Sequence, residues 1–125
     1  MNYPVSIKGL ICKEGRILFL KNRRQELELP GGRIELFEIP EVCLLREIKE
    51  ETTLDVNVLG YVGAGLFEVI PNQHVFIVAF HCEIKQGVVC MSEEHTGYCW
   101  VPYKQLSDFN IPPFYLRLAL LLQEV

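Results

Sequence analysis

The sequence predicts an α/β domain of the α+β kind, in which one mixed β-sheet lies between two main helices. Three observations support this prediction. The chain has 125 residues, the usual length of one domain, so we treat residues 1–125 as a single domain. Half of the residues are hydrophobic and 22% are charged, so the chain can bury a core of normal size. Segments rich in Val, Ile, Phe and Tyr, which favour strands, are interspersed with segments of helical character.

The N-terminal half is predicted to contain a hairpin, a glycine-rich loop and a helix. Val5 to Cys12 and Ile17 to Leu20 are apolar runs on either side of a turn, which is the pattern of a hairpin. Leu29-Pro30-Gly31-Gly32 follows as a loop, whose glycines can adopt backbone conformations closed to other residues. The segment Glu41 to Thr52 is predicted to be helical. Pro40 stands in its first turn, where a missing N–H costs little.

The second half of the chain is predicted to add three strands and a closing helix. Val56 to Val69 and His74 to Ile84 are rich in β-branched and aromatic residues, and Pro71-Asn72 between them is typical of a turn. Tyr98 to Val101 is predicted to be a further short strand. A Pro-Pro pair then opens a helix from Phe114 to about Gln123, whose apolar character on most sides predicts packing against the sheet.

Charge and cysteine usage narrow the class of protein. A net charge of −4 argues against a nucleic-acid polymer or an anionic membrane as partner. No basic segment precedes an apolar run at the N-terminus, and no apolar run approaches the roughly 20 residues of a membrane span. Five cysteines without C-x-x-C spacing predict reduced thiols in a cytoplasmic protein. The cysteines and three histidines lack zinc-site spacing. We interpret the histidines mainly as structural residues.

Three glutamates on the predicted helix point to a divalent cation. Glu47, Glu50 and Glu51 share an arc of roughly 100° on a helical wheel. The neighbouring apolar arc, which we expect to face the core, contains Leu44, Leu45 and Ile48. Carboxylates at this spacing repel one another, and two of them lie in the last turn, where the helix dipole disfavours negative charge. A hard cation such as Mg²⁺ would remove the conflict. The alternative is an acidic face exposed to solvent.

The residues around these glutamates form a longer pattern. From Gly32 the chain has five residues, Glu38, seven residues, and then Arg46-Glu47-Ile48-Lys49-Glu50-Glu51-Thr52-Thr53-Leu54. This resembles the Nudix box, G-x5-E-x7-R-E-U-x-E-E-x-G-U with U a bulky aliphatic residue, at every fixed position except Thr53. A chance match in this chain is on the order of one in 10⁵. Leu29-Pro30-Gly31-Gly32 before the box and Glu94 before Trp100 extend the resemblance over most of the chain.

Two positions depart from the pattern of the family. Thr53 stands where the family has a glycine that serves as a left-handed helix cap, a conformation that a β-branched residue resists by about 1 kcal/mol or more. We therefore expect the helix to end in a different way. Phe37 replaces a glycine that is often found before the first box glutamate. Neither change removes a carboxylate.

The resemblance implies a Nudix-like α/β/α sandwich and a Mg²⁺-dependent hydrolase, with Mn²⁺ as a possible substitute. Such enzymes cleave a nucleoside diphosphate linked to another group, X, by attack of water on phosphorus. The metal ligands that the resemblance implies are the Gly32 carbonyl, Glu47, Glu50 and Glu51. Glu47 is our first choice for the carboxylate that accepts the proton of the water, and Glu94 is the alternative. Arg46 would hold a box glutamate by a charge-assisted hydrogen bond.

The sequence also offers candidates for the substrate contacts and for the substrate itself. Arg23 and Arg33 are candidates for binding phosphate, with a solvated charged loop as the alternative for both. The resemblance implies a small-molecule nucleotide partner, and we place first a nucleoside triphosphate cleaved to the monophosphate and pyrophosphate. The alternatives are ADP-ribose or another nucleoside diphosphate derivative, and a non-catalytic nucleotide-binding regulatory domain. The retained box carboxylates favour catalysis. Homodimers are common among similar proteins, and the sequence leaves the oligomeric state open.

Overall fold

A computed structural model of the protein describes residues 2–123 and 125, which form a mixed sheet between two helices. The strands of the sheet are β1 (Val5–Lys13), β2 (Arg16–Lys21), β3 (Leu27–Glu28), β4 (Gly31–Arg33), β5 (Asp55–Ile70), β6 (Gln73–Gln86) and β7 (Gly97–Pro102). The helices are α1 (Pro40–Thr52) and α2 (Pro113–Leu120), with a 3₁₀ helix at Tyr103–Asp108. The predicted fold class, with one mixed sheet between two helices, is confirmed.

Strand β1 makes the sheet mixed. It pairs in parallel with β6, from Val5 opposite Phe76 to Cys12 opposite Glu83. It pairs antiparallel with β2, as the predicted hairpin requires, and antiparallel with β4. Strands β5 and β6 form a long antiparallel hairpin, whose turn includes Asn72 with a φ of 67°. The parallel pair thus joins the N-terminal hairpin to the long hairpin in one sheet.

Each face of the sheet is covered by one helix. In β1, Ile7 and Ile11 pack on the side of α1 with Leu44 and Ile48, whereas Leu10 packs on the side of α2. All five side chains are fully buried. This follows from the alternation of side chains along a strand, which sends successive residues to opposite faces. The result is the two-sided sandwich expected from the sequence.

One member of the predicted core of α1 is exposed. Leu45 is 41% exposed, whereas Cys43 is fully buried in its place. On the helical wheel Leu45 lies about 100° from Leu44, at the edge of the apolar arc. The sheet covers the other side of Leu44, so the buried arc includes Cys43 and Glu51. The prediction for Leu45 is therefore wrong, and the correction brings a carboxylate into the interior.

The two glycines of the glycine-rich segment lie in a strand rather than in a loop. Gly31 and Gly32 belong to β4 and pair with Lys8 and Ile7 of β1. Of the two glycines, Gly31 has a positive φ, of 140°. Its conformation fits the prediction that glycine is needed here for the backbone, but the pairing with β1 was not predicted.

The ends of both helices differ from the predictions. Helix α1 ends with Thr53 in the left-handed conformation, with a φ of 66° and its N–H donated to the Lys49 carbonyl at 3.0 Å. The expectation that it would end in a different way is wrong. Thr53 Oγ1 donates to the Val88 carbonyl at 2.8 Å, which offsets the cost of this conformation. Helix α2 ends at Leu120, before Gln123. Over residues 2–123 and 125, no helix has the length and apolar character to cross a membrane.

Candidate active site

Strand β4 and helix α1 meet at Gly32. The Glu47 carboxylate lies against this residue, and a Cβ atom at position 32 would be only 2.4 Å from Glu47 Cδ. A side chain at position 32 would have to displace the Glu47 carboxylate, so glycine leaves free the space that this carboxylate occupies. The packing keeps the Glu47 carboxylate beside the backbone of β4.

Arg46 organises the exposed side of the site, in a group that we call the arginine network: Arg46, Glu38, Glu47 and Glu50. Its Nε and Nη2 donate to the two oxygens of Glu38 at 2.8 and 3.0 Å, and Nη1 donates to Glu47 Oε1 at 3.0 Å. Glu50 Oε1 lies 3.6 Å from Nη1, with its side chain 60% exposed. Hydrogen bonds from Arg46 lower the pKa of Glu38 to about 2. The guanidinium group therefore holds the Glu47 carboxylate in position.

Glu51 belongs to a second group on the interior side, which we call the buried cluster: Lys8, Glu28, Glu51 and His95. Glu51 is 7% exposed, and its Oε1 accepts a hydrogen bond from the Gly31 N–H at 2.7 Å. Burial raises the pKa of Glu51 to about 7, against the opposing effects of the Gly31 N–H and the charge of Lys8. The metal-free protein therefore holds Glu51 partly protonated near neutral pH.

His95 is the centre of the buried cluster. Its side chain is 4% exposed, and its Nε2 lies 2.7 Å from Glu28 Oε1 and 3.9 Å from Glu51 Oε2. The hydrogen bond to Glu28 raises the pKa of His95. Burial opposes ionisation of Glu28, but hydrogen bonds from His95 and Asn22 and the charge of Lys8 hold its pKa below the ordinary value. Glu28 is therefore ionised and accepts a hydrogen bond from the N–H of His95 Nε2.

Lys8 supplies a cation to the same cluster. Its Nζ donates to the Leu29 carbonyl at 3.2 Å and lies 5.8 Å from the centre of the Tyr115 ring. Burial would lower its pKa, but the proximity of Tyr115, Glu28 and Glu51 outweighs burial and raises it. Lys8 is therefore an ammonium donor, and its charge compensates that of the buried carboxylates.

A cation can be held where the buried cluster reaches the surface. Glu51, the exposed Glu94 and His95 each offer a ligand atom, and these atoms lie within 4.8 Å of one another. Carboxylate oxygens are the donors that Mg²⁺ and Mn²⁺ prefer, so the residues present fit the predicted metal. Among residues 2–123 and 125, this group does not include Glu47 or Glu50, whose carboxylates contact Arg46 instead.

A cavity of about 230 Å³ adjoins the buried cluster. The polar and charged residues that line it include Ser6, Lys8, Asn22, Glu28 and Arg33. Phe114 and Tyr115 supply aromatic surface to the same cavity. Charged donors and acceptors next to aromatic rings are what a flat heterocyclic ligand requires. Lys8 and Glu28 belong to both the cavity and the buried cluster, so the two are contiguous.

The two candidate phosphate-binding arginines lie in different places. Arg33 lines the cavity, where it is exposed. Arg23 is not among the residues that line it; its Nη2 donates to the Glu93 carbonyl at 2.9 Å. This contact fixes the segment before β7, which carries Glu94. The structure therefore gives Arg23 a contact with the protein backbone that the sequence did not predict.

The sequence did not point to Lys8, Glu28 or His95. Glu28 and His95 are 67 positions apart, so no local pattern connects them. Lys8 offered a usable signal, because it is a charged residue inside the apolar run of the first strand. A charged residue in such a position is seldom buried without a partner. The interpretation of the histidines as mainly structural residues missed His95.

Known proteins resemble this chain in sequence and in structure. A family model described as the NUDIX domain matches residues 2–123. A MutT-like protein of Streptomyces ambofaciens is 34% identical over 120 residues, which are 93% of this chain and 75% of that protein. The 8-oxo-dGTP diphosphatase of Escherichia coli K12 is 27% identical over 111 residues, 84% of each chain. The crystal structure of a MutT protein from Methanosarcina mazei Go1 matches with a TM-score of 0.84 at 25% identity, over 94% of this chain and 90% of that one.

Proposed function

The chain belongs to the NUDIX family, as the box from Gly32 to Leu54 predicted, and on that premise we propose that it cleaves a nucleoside triphosphate to the monophosphate and pyrophosphate. It is a hydrolase that acts on phosphoanhydride bonds. The observation that carries the proposal is the contiguity of the cavity with the cation-holding group through Glu28 and His95. A nucleotide needs such a pair of sites, one for its base and one for its phosphates.

Mg²⁺ is the cation that we assign to this site, with Mn²⁺ as a substitute. Glu51 and Glu94 would hold it, with Glu47, Glu50 and the Gly32 carbonyl as the further oxygen ligands that the Nudix box implies. When bound, such a cation offsets the negative charge of the phosphates and makes the attacking water more acidic. The net charge of −4 makes this local positive charge necessary for binding a polyanion.

The side chains themselves have distinct roles in the proposed reaction. Glu47 accepts the proton of the attacking water, and Arg46 keeps its carboxylate in position through the 3.0 Å hydrogen bond. Arg33, which lines the cavity and is exposed, meets the phosphates. Arg23 acts by fixing the segment that carries Glu94, since it bonds the carbonyl of the preceding residue.

Release of phosphate and pyrophosphate across a substrate panel tests the proposal. The panel contains standard and oxidised nucleoside triphosphates, ADP-ribose, dinucleoside polyphosphates and nucleotide sugars, each with and without Mg²⁺. We expect pyrophosphate from one or more triphosphates, and loss of this release in Glu51→Gln. Glu41→Gln is the matched control, because Glu41 is an exposed glutamate of the first turn of the same helix.

Other outcomes have definite meanings. Wild-type hydrolysis by Glu51→Gln would show that the metal assignment is wrong. Release from ADP-ribose or a nucleotide sugar alone would replace the triphosphate by another nucleoside diphosphate derivative. Nucleotide binding without hydrolysis of any compound would favour a regulatory domain that retains the box. The five free cysteines support the cytoplasmic location that we propose for this activity.

A further inference from the structure

His95 lies between the two carboxylates of the buried cluster. Its Nε2 is hydrogen-bonded to Glu28 Oε1 at 2.7 Å, whereas Glu51 Oε2, at 3.9 Å, is beyond hydrogen-bond distance. A shift of about 1 Å would bring Nε2 within reach of Glu51. The ring is almost fully buried, and its Nδ1 has no hydrogen-bond partner among the described residues. Nε2 is thus the ring atom that meets both carboxylates.

The N–H of Nε2 cannot make a full hydrogen bond to both carboxylates at once. The structure has the arrangement in which it donates to Glu28. The competing arrangement, in which it donates to Glu51, requires a small displacement of the ring and leaves Glu28 with one fewer donor. Because the His95 ring has two such arrangements, a ligand that binds one of the two carboxylates can change the free energy of binding at the other.

Glu28 lines the cavity and therefore links His95 to a ligand bound there. Its Oε2 accepts a hydrogen bond from Asn22 Nδ2 at 3.2 Å, and its Oε1 accepts one from His95. A carboxylate has about four acceptor positions, so the two fixed donors orient Glu28 and leave positions for a ligand. Amino and ring N–H groups of a nucleobase are suitable donors. Lys8, which lines the same cavity, can donate to a base carbonyl.

We propose that His95 is a positioning residue that couples the cavity to the cation site, so that a nucleobase and a divalent cation bind cooperatively. The proposal rests on the proposed function, because it takes a nucleobase as the ligand of the cavity and a divalent cation as the ligand of Glu51. Neither ligand contacts His95 Nε2, because its N–H is donated to Glu28 and it has no lone pair for the cation, which Glu51 and Glu94 hold. His95 couples the two sites by donating its Nε2 hydrogen bond to one carboxylate or to the other.

The geometry gives the sign of the coupling. With a cation at Glu51, His95 loses that carboxylate as an alternative acceptor, and its N–H remains directed at Glu28. Glu28 is then held in the orientation in which it lines the cavity, which favours binding of a base. Linkage requires the reverse effect to be equal, so a base on Glu28 strengthens cation binding by the same factor.

The test measures Mn²⁺ affinity by electron paramagnetic resonance on the full chain, with and without saturating AMP or CMP. The wild type is compared with His95→Phe, which keeps a planar ring but has no N–H. The phosphate of the nucleotide tightens Mn²⁺ binding in both proteins. We expect the tightening to be at least about fivefold larger in the wild type, within the usual range of coupling between sites. His95→Gln, which retains an N–H donor, should recover part of the difference, and Glu41→Gln should match the wild type.

Each result has a separate meaning. Equal tightening in the wild type and His95→Phe, or greater tightening in the variant, overturns the role of His95 alone. Failure of any monophosphate to bind beside Mn²⁺, or Mn²⁺ binding that Glu51→Gln leaves unchanged, overturns the proposed function and this inference with it.

A measurement on the unsubstituted protein covers the case in which His95→Phe does not fold. In ¹⁵N nuclear magnetic resonance spectra, we expect the His95 ring to carry its proton on Nε2. We also expect this resonance to shift when Mg²⁺ or AMP is added separately. A resonance that responds to neither ligand, or a proton on Nδ1 instead, overturns the proposal.

Discussion

Helix α1 supplies carboxylates to both the arginine network and the buried cluster, and the two groups hold them by opposite means. The side chain of Glu50 is 60% exposed and that of its neighbour Glu51 is 9% exposed, a difference that follows from the wheel. Glu51 is seven residues, or two turns, after the fully buried Leu44, and therefore lies on the same side of the helix. Glu50 is about 100° away from it, towards solvent.

This difference separates a half of the site that is held by arginine from a half that is held by burial. In the arginine network a permanent cation holds Glu38 and Glu47, and Arg46 lowers the pKa of Glu38 to about 2. In the buried cluster, burial raises the pKa of Glu51 to about 7. The proposed base is thus held in solvent contact by arginine, whereas the proposed metal ligand requires either a proton or a cation near neutral pH.

The largest effect should come from removing the proposed base in the arginine network. We expect Glu47→Gln to lower kcat by at least about 10²-fold, the scale of a lost general base. Glutamine retains the shape of the side chain and can still meet Gly32 and Arg46, so the circular dichroism spectrum should not change. Steady-state kinetics at saturating Mg²⁺ measures the effect.

Glu94→Gln provides the comparison from the cation-holding group. It should raise the Mg²⁺ concentration needed for half-maximal rate more than it lowers kcat. If Glu47→Gln lowered kcat by less than threefold and Glu94→Gln lowered it strongly, Glu94 would be the base. The base would then belong to the cation-holding group and not to the arginine network.

An intermediate effect should appear in the pH dependence of stability without metal. Because the pKa of Glu51 is about 7 in the folded protein, above its ordinary value, the folded state binds this proton more tightly than the unfolded state does. The free energy of unfolding should therefore fall as the pH rises from about 4.5 to 7, by about 1–3 kcal/mol for this group. Glu51→Gln cannot lose a proton and should lack this part of the decrease.

Urea unfolding at pH 5 and pH 8 in the presence of a chelator measures the difference between the two proteins. His95, whose pKa is also raised, contributes a loss of stability over the same direction of pH in both. Because the charge of Glu51 is one cause of the raised pKa of His95, the comparison with Glu51→Gln measures Glu51 together with its coupling to His95. Saturating Mg²⁺ should reduce the decrease in the wild type. Parallel curves for the wild type and the variant would contradict the burial argument.

The sequence predicted the arginine network better than the buried cluster, and the reason is physical. The spacing of the box places Glu47, Glu50 and Glu51 on one side of a helix, and the helix was predicted to within one residue of its observed start. The wheel gives the order of residues around a helix but not the direction of the sheet, so Leu45 was placed in the core and Glu51 was not.

Contacts between distant residues account for most of what the sequence did not predict. Glu28 lies in a strand of two residues, too short for a recognisable pattern, and it meets His95 only because β2 pairs with both β3 and β7. The end of α1 is a similar case. Thr53 accepts the left-handed conformation through its bond to Val88, 35 residues away.

The smallest effects should come from two left-handed residues that flank α1, one beside each region. Phe37, next to Glu38 of the arginine network, has a φ of 66° and is 96% exposed, so few contacts offset its strain. Phe37→Gly should therefore stabilise the fold by about 0.5–1 kcal/mol. Thr53, two residues after Glu51 of the buried cluster, has the same φ. Thr53→Gly would relieve this strain but lose the Oγ1 hydrogen bond to Val88, so it should change stability by less than about 0.5 kcal/mol.

Thr53→Val separates the two contributions at the second position, because it keeps the β-branched shape without the hydroxyl. It should destabilise the fold by about 1 kcal/mol, the usual contribution of one hydrogen bond. Urea unfolding of the three variants at one pH gives the order Phe37→Gly, Thr53→Gly and Thr53→Val, from most to least stable. If Thr53→Gly were stabilised as much as Phe37→Gly, the hydroxyl would contribute nothing, and both ends of α1 would carry the same uncompensated strain.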